Sequence, residues 1–410
     1  MRSGLGASHR FAGSGDRAAL AGLVYDALRR RASSIHVMGD PGPRAVLLGM
    51  LRLERKLEPD AIAALANGGR FAPQPLSPDE LARLAAPGSR AVRRPGWPAI
   101  TRNGSIRISP ACSATSAPPR ARRLRAGRRL ICASTTSRAI ATTATALLAD
   151  LNPVPTRWSP FGLRIALEAD AKNPAIHAEP AFIKGMVEVQ DEGSQLAALL
   201  AGAKPGEHVV DLCAGAGGKT LALAAAMHNQ GQLYATDTDK RRLAPIHERL
   251  ARSGARNVQV RTPKSVGTEL ADLAGRADLV LIDAPCTGIG TWRRNPDAKW
   301  RVRPGALAVR LKEQAAVLDR AAGLVKPGGR IAYVTCSVLA EENGDQIQAF
   351  LARETGFSAR APGRSGERAR RARLSLPPCR ADVGRGIADD PAPHRHRWIL
   401  RLGAGADLMA

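Results

Sequence analysis

The chain has 410 residues, a formal net charge of +25 at pH 7, 44% hydrophobic and 24% charged residues, and only 3% aromatics. That length leaves room for two domains and an ample core, and a strongly basic balance points to a nucleic-acid partner. No secretory signal and no run of eighteen apolar residues is visible, which speaks against a secreted or membrane-spanning protein; a soluble, cytoplasmic, monomeric chain with no membrane partner is expected.

In chain order, residues 1–90 read as a small helical region. Over 13–33 the pattern places Leu20, Leu23, Val24 and Leu28 on one helical face. A second helix is expected over 43–55. Ser77-Pro78-Asp79-Glu80 then supplies an N-cap, a proline at the first position and an acid at the third. The run Arg29-Arg30-Arg31 reads either as an RNA contact or as a solvated helix end.

Composition changes abruptly after that. Residues 91–149 hold eleven Arg and no acid, a net of +11; residues 359–410 hold eleven Arg and five acids, a net of +6. Neither stretch has periodicity, and the simplest reading is a disordered basic linker and tail.

Between them the pattern alternates. EHVVDLC (207–213) is an apolar run ending at a glycine-rich turn, and 219–228 reads as a helix. QLYATD (232–237), a helix from about Lys240 to Ala251, VQVR (258–261) and ADLVLIDAP (277–285) follow. A helix near 306–324 then leads through KPGG into RIAYVTCS (330–337). Continuous apolar runs alternating with helices imply a parallel sheet covered on both faces. Ligands of such sheets sit beyond the carboxyl ends of the strands, and DLCAGAGGKT, DAPCTG and VTCS all fall there.

The glycine turn fits neither common phosphate loop. Gly218-Lys219-Thr220 suits a Walker loop, but Cys213 stands where the first Gly is required. Gly215 and Gly217 suit a dinucleotide fingerprint, but Thr220 takes the third position. What remains is a turn of small residues that lets a ligand approach the backbone, with Asp237 ending the next strand where an acid commonly holds a ribose. A tight connection is the plainer reading. For the cysteines the plainer reading is a small buried hydrophobe, which suits Cys213. Cys286 and Cys336, at the ends of two buried strands, suggest instead one thiolate that attacks and a second that assists release. Of the six cysteines, Cys112, Cys132 and Cys379 lie in the basic stretches. The other three are not spaced as a zinc site or a disulfide framework, and no metal is expected.

These phrases carry a resemblance. VQDEGSQLAALL (189–200), DLCAGAGGKT (211–220), ATDTDKRRL (235–243), DAPCTGIGTWRRNPDAKWR (283–301) and YVTCSVLAEEN (333–343) match, in order and spacing, the catalytic domain of the Nop/Sun (RsmB-like) RNA (cytosine-5)-methyltransferases. The resemblance implies an α/β fold of the class I S-adenosylmethionine-dependent methyltransferase type, Rossmann-like and mostly parallel and doubly wound, preceded by a small helical N-terminal region. It implies S-adenosyl-L-methionine as cofactor, contacted by Cys213, Ala214, Gly215, Ala216, Gly217, Gly218, Lys219, Asp237, Arg242 and Asp283. It also implies Cys336 as nucleophile and Cys286 as the residue that assists product release, with Asp283 hydrogen-bonding the cytosine ring and Lys219 contacting the base. The implied partner is RNA, ribosomal RNA in the first place, presenting a single-stranded or unpaired cytosine.

The chemistry accounts for the residue types. Cytosine C5 is a poor nucleophile until a thiolate adds at C6, and a thiol is mostly protonated near neutrality, so the site must favour thiolate. Two departures stand out. Gly215-Ala216 replace the family's usual Ala-Pro, and the third strand reads VQVRTP, with Arg261 and Thr262, where an aspartate normally holds the adenine side of the cofactor.

The resemblance also gives the basic stretches a second explanation, translation out of frame. ITRNGSIRISP (100–110) can be encoded so that a one-base shift reads DYPEWLDPHFA. ICASTTSRA (131–139), shifted the same way, reads DLRVNNLKG, and IADDPAPHRHRWIL (387–400), shifted one base, reads SLMTPRRTGTDGFF. All three resemble family sequence. On this reading 91–145 is an anomalous, disordered basic segment and 146–185 is the remnant of an RNA-binding subdomain. Residues 186–358 are the catalytic domain and 359–410 an anomalous tail, whose loss leaves the TCS strand with an unpaired edge. A poorly soluble, weakly active or inactive chain is then expected. The alternative to an active RNA methyltransferase is a catalytically impaired, RNA-binding relic of one.

Overall fold

The computed structural model describes residues 13–70, 72–86, 129–134, 138–156, 158–166, 174–263, 269–292, 295–360 and 397–403. They form two compact units, one from the N-terminal helices together with 292–304, the other from the rest.

The N-terminal unit contains α1 (Ser14–Met38), α2 (Pro43–Leu53), α3 (Pro59–Leu65) and α4 (Pro78–Ala85). The capping signal at Ser77 is realised: its side chain accepts from the Glu80 amide at 3.2 Å, and the Glu80 carboxylate accepts from the Ser77 amide at 2.9 Å. Met38, Ala45, Leu48, Ile62 and Leu84 make the core. Of the expected apolar stripe of α1, Leu23 and Leu28 are half-buried while Leu20 and Val24 are exposed. α1 meets α2 where Gly49 admits the Ser34 backbone, and through charge pairs. Arg55 reaches Asp26, which also pairs with Arg29 within α1, and Arg30 reaches Glu54.

The second unit carries two sheets. Strands β1 (Arg129–Ser134), β2 (Val154–Pro155), β3 (Gly162–Ala166) and β4 (Val187–Val189) form an antiparallel sheet in the order β2-β3-β1-β4. Helices α5 (Arg138–Leu147) and α6 (Pro180–Ile183) accompany it, over a core that includes Leu148, Leu163, Ile165 and Phe182. β1 and part of α5 fall inside the segment read as anomalous. Most of that segment, and its 100–110 phrase, lies outside the described residues.

After α7 (Glu192–Ala201), the larger sheet is built from β5 (His208–Asp211), β6 (Gln232–Ala235), β7 (Val258–Val260), β8 (Ala277–Asp283), β9 (Val325–Thr335), β10 (Phe357–Arg360) and β11 (Arg397–Gly403). All are parallel, in the order β10-β11-β9-β8-β5-β6-β7. Helix α8 (Gly218–Ala226) joins β5 to β6. α9 (Lys240–Leu243) and α10 (Ile246–Ser253) follow β6, α12 (Ala306–Leu324) precedes β9, and α13 (Gly344–Arg353) follows it; α11 (Ala298–Arg301) belongs to the N-terminal unit. Separate cores lie on the two faces of the sheet, one around Val280, Ile282 and Tyr333, the other around Leu223, Leu279 and Val334.

Two expectations change. The single helix expected over 240–251 is two, because Pro245 offers no amide to continue the ladder and serves as the N-cap of α10. The edge of β9 is not unpaired. β11 lies along it from Trp398 opposite Arg330 to Gly403 opposite Thr335, and this satisfies backbone groups that an open edge would leave bare. No helix among the described residues is long and apolar enough to cross a membrane.

The strand order places the crevice. From β5 the chain proceeds outward through β6 and β7, then returns to the other side of β5 as β8. The carboxyl ends of β5 and β8 therefore flank the topological switch point, where open parallel sheets receive ligands.

Candidate functional site

The site begins at Asp211, the last residue of β5. It is fully buried, and Thr220 donates its hydroxyl proton to Oδ2 at 2.7 Å. Burial pushes its carboxyl up to about 7 against that hydrogen bond. Oδ1 of Asp211 is buried with no hydrogen-bond partner.

The glycine turn follows directly. Gly217 has φ +84°, and a Cβ there would lie 2.5 Å from Ile246 Cγ1. Gly215 has φ +49°, and its amide donates to Asp237 Oδ2 at 2.9 Å. A Cβ on Gly215 would stand 3.6 Å from Arg242 Nη2 and 3.8 Å from Asp237 Oδ2, so the missing side chain keeps the space between turn and acid open. Asp237 is buried, and its Oδ1 accepts the Asp239 amide at 2.9 Å. The guanidinium of Arg242 is 3.9 Å from Asp237 Oδ2 and largely exposed. Cys213, Ala214 and Ala216 complete the turn. Burial first, and the charge of Asp211 second, push the Cys213 thiol up, which makes it an inert packing residue.

The far side of the turn is braced by residues that sequence reasoning left without a role. Arg249 of α10 donates to the Ala216 carbonyl at 2.7 Å and to Glu188 at 3.1 Å. Gln190 donates to the Gly218 carbonyl at 3.0 Å. Of these, Gln190 lies in the phrase 189–200, whose only signal was its match to family sequence, and nothing in the sequence marked Arg249 or Glu188.

Across the switch point, Lys219 at the start of α8 meets Asp283 at the end of β8, with Nζ to Oδ2 2.7 Å. Asp283 is the more open of the pair. Three residues further on, Cys286 Sγ lies 3.3 Å from Cys336 Sγ, just past the end of β9. The two thiols, fifty positions apart in sequence, are thus direct neighbours. The hydrogen bond to Cys336 and then burial push the Cys286 thiol up. The Cys336 carbonyl accepts the Gly290 amide at 2.9 Å, and a Cβ on Gly290 would lie 2.6 Å from that oxygen. Glycine is what lets the two thiol loops approach.

The structure therefore brings all the expected residues to the carboxyl rim of one sheet, in two groups: 213–219 with Asp237 and Arg242, and Asp283 with Cys286 and Cys336. The turn suits a cofactor carrying hydroxyls and a cationic amine, because it offers an open cradle at Gly215, a buried carboxylate at Asp237 and an orphaned acceptor on Asp211. Residues 264–268, after the VQVRTP strand end, lie outside the described residues. At that strand end, the Arg261 guanidinium is 5.3 Å from the Tyr234 ring centre and its Nη2 2.9 Å from Asp272. Among the described residues no group of three or more His, Cys, Asp or Glu could hold a metal ion.

Residues 197–366 match the family described as 16S rRNA methyltransferase RsmB/F. Through this segment the chain is similar to the RsmB/F family. The ribosomal RNA small subunit methyltransferase B of Salmonella typhi is 40% identical over 180 residues, covering 43% of this chain and 41% of that one. The chain thus spans about two fifths of the length of the curated relatives it matches. The crystal structure of PH0851 superposes with a TM-score of 0.59 at 25% identity, over 85% of this chain and 83% of that chain. The structure of NSun6 from Pyrococcus horikoshii shares the fold, with a TM-score of 0.50 at 20% identity over 57% of this chain and 82% of that one. The family segment contains both thiols and the whole glycine turn. Glu342, Gln314 and Thr287, which join the two thiol loops, also fall within it and were not singled out from sequence.

Proposed function

We propose that the chain transfers a methyl group from S-adenosylmethionine to C5 of a cytosine in RNA, with small-subunit ribosomal RNA as the substrate. The observation that carries this reading is the pair of thiols in contact at 3.3 Å, at the carboxyl ends of adjacent strands, beside a glycine turn on a buried acid.

The geometry supports the following roles. Asp237 accepts the ribose hydroxyls, the amides of 215–218 line the approach, and the spare oxygen of Asp211 accepts from the amine. When bound, the cofactor supplies an electrophilic methyl on a sulfonium. Asp283, fixed by Lys219, hydrogen-bonds the base and orients the ring. Cys336 adds as thiolate at C6, which places electron density on C5. After methylation the C5 proton is removed, the C6–S bond breaks, and the electron pair returns to Cys336. Cys286, held as a thiol beside Cys336, assists that release. The cytosine must leave its stack to reach the crevice, which favours an unpaired nucleotide.

The test is transfer from labelled S-adenosylmethionine to small-subunit ribosomal RNA, with nucleoside analysis for 5-methylcytidine. Cys336→Ala is expected to abolish transfer, and Cys286→Ala to accumulate a covalent protein–RNA adduct that resists denaturation. Normal turnover by Cys286→Ala would remove the release role. RNA binding by the unaltered chain with no methyl transfer would establish the impaired relic instead.

A further inference from the structure

Glu342 follows Cys336 by six residues and is fully buried. Its Oε1 accepts the Thr287 amide at 2.8 Å and Gln314 Nε2 at 3.1 Å, and its Oε2 accepts the Thr287 hydroxyl. The same Gln314 Nε2 donates to the Pro285 carbonyl at 2.9 Å. Tyr333 of β9 holds the Glu342 backbone by donating to its carbonyl at 3.0 Å. The residues on both sides of Cys286 are therefore tied to one acid that belongs to the Cys336 loop. A buried carboxylate without such donors would be strongly unfavourable, and this one spends its lone pairs on the turn that carries the second thiol.

We propose that Glu342 is a positioning residue for the thiol pair: through Thr287 and Gln314 it fixes the 285–287 turn and so holds Cys286 Sγ against Cys336 Sγ. The proposal rests on the reading of Cys336 as nucleophile. The charged groups acting on Cys286 are Cys336, just past the end of β9, and Glu342, from the loop before α13; both oppose ionisation of Cys286. No bond is made or broken in this arrangement.

The experiment is iodoacetamide labelling of the full 410-residue chain against pH, without RNA or cofactor. Initial rates at Cys286 and Cys336 are read from peptide masses at less than one label per chain. In the unaltered protein the held Cys286 is expected to label slowly. In Glu342→Gln, which keeps size and removes charge, Cys286 labelling at pH 8 is expected to rise about tenfold, the change in thiolate produced by one pH unit. A Cys286 profile in Glu342→Gln that superimposes on the unaltered protein overturns the proposal. Thr287→Val covers the case in which Glu342→Gln does not fold: it removes the hydroxyl that Glu342 accepts and loosens the turn, so Cys286 is expected to label faster there as well. A Cys286 profile in Thr287→Val that superimposes on the unaltered protein would also overturn the proposal. Because labelling needs no methyl transfer, its failure leaves the proposed function standing, whereas transfer by Cys336→Ala would sink that function whatever the labelling shows.

Discussion

The two halves of the sheet rim are assembled differently. On the β5–β6 side the parts lie close in sequence: the turn 213–219 follows its strand directly, and Asp237, twenty-two residues past Gly215, takes that turn's amide. On the β8–β9 side nothing is local. Cys286 and Cys336 meet across fifty residues, and the acid and amide that hold them come from the loop after β9 and from α12. The first half is a backbone cradle shaped by glycine. The second is a side-chain network shaped by burial. A change in one should therefore leave the other's signature largely intact.

The largest effect tests that independence. Cys336→Ala is expected to lower methyl transfer by on the order of 10⁴-fold or more, the scale of losing a covalent nucleophile, while cofactor affinity by calorimetry stays within about twofold. A parallel loss of cofactor binding would show that the two halves are one unit. The converse change is Gly217→Val. The new side chain meets Ile246 and the residue stands at φ +84°, so cofactor binding should vanish while the pH profile of thiol labelling stays put.

Asp211 sharpens the comparison through pH. Its folded-state carboxyl sits near 7 because burial outweighs the Thr220 hydrogen bond. Below about pH 4 folded and unfolded chains both hold this proton, and the group is neutral to stability. Between about 4 and 7 the unfolded chain releases it while the folded chain keeps it, so stability falls as pH rises, by at most about 4 kcal/mol. Asp211→Asn keeps an acceptor for Thr220 and cannot ionise. Its stability relative to the unaltered protein, from urea unfolding at a series of pH values, should improve steadily across that window and level off above it. A flat difference would mean that Asp211 is ionised in the folded chain.

The same contrast explains what the sequence could convey. The alternation of apolar runs and helices located the sheet, and 306–324 is the helix expected there, because buried parallel strands write their pattern locally. The thiols were visible as phrases at strand ends. Glu342 was not, because an acid among AEEN reads as solvent-facing until β9, α12 and the 285–287 turn close over it. Arg249 was hidden for the same reason. α10 announces an amphipathic helix, not that one of its arginines reaches a carbonyl of the glycine turn. On α1 the local signal was half right: Leu23 and Leu28 are half-buried, but Leu20 and Val24 stay exposed, and the helix meets its neighbour at Gly49 and through Asp26–Arg55 pairing.

Arg249→Lys is the smallest change and the most searching one for the cradle. The guanidinium spans two acceptors on different elements, the Ala216 carbonyl at 2.7 Å through Nη1 and Glu188 at 3.1 Å through Nε. A lysine ammonium is a point charge on a flexible stem and cannot hold both in that geometry. Glu188 still keeps Arg252 at 2.6 Å, so the acid is not orphaned and the loss is confined to one charge-assisted bond to the turn, about 1 kcal/mol. That corresponds to a roughly fivefold weaker cofactor affinity, with the thiol labelling profile unchanged. If the variant instead altered Cys286 labelling, the bracing of the glycine turn would reach the β8–β9 side through the Lys219–Asp283 pair, and the rim would behave as one network rather than two.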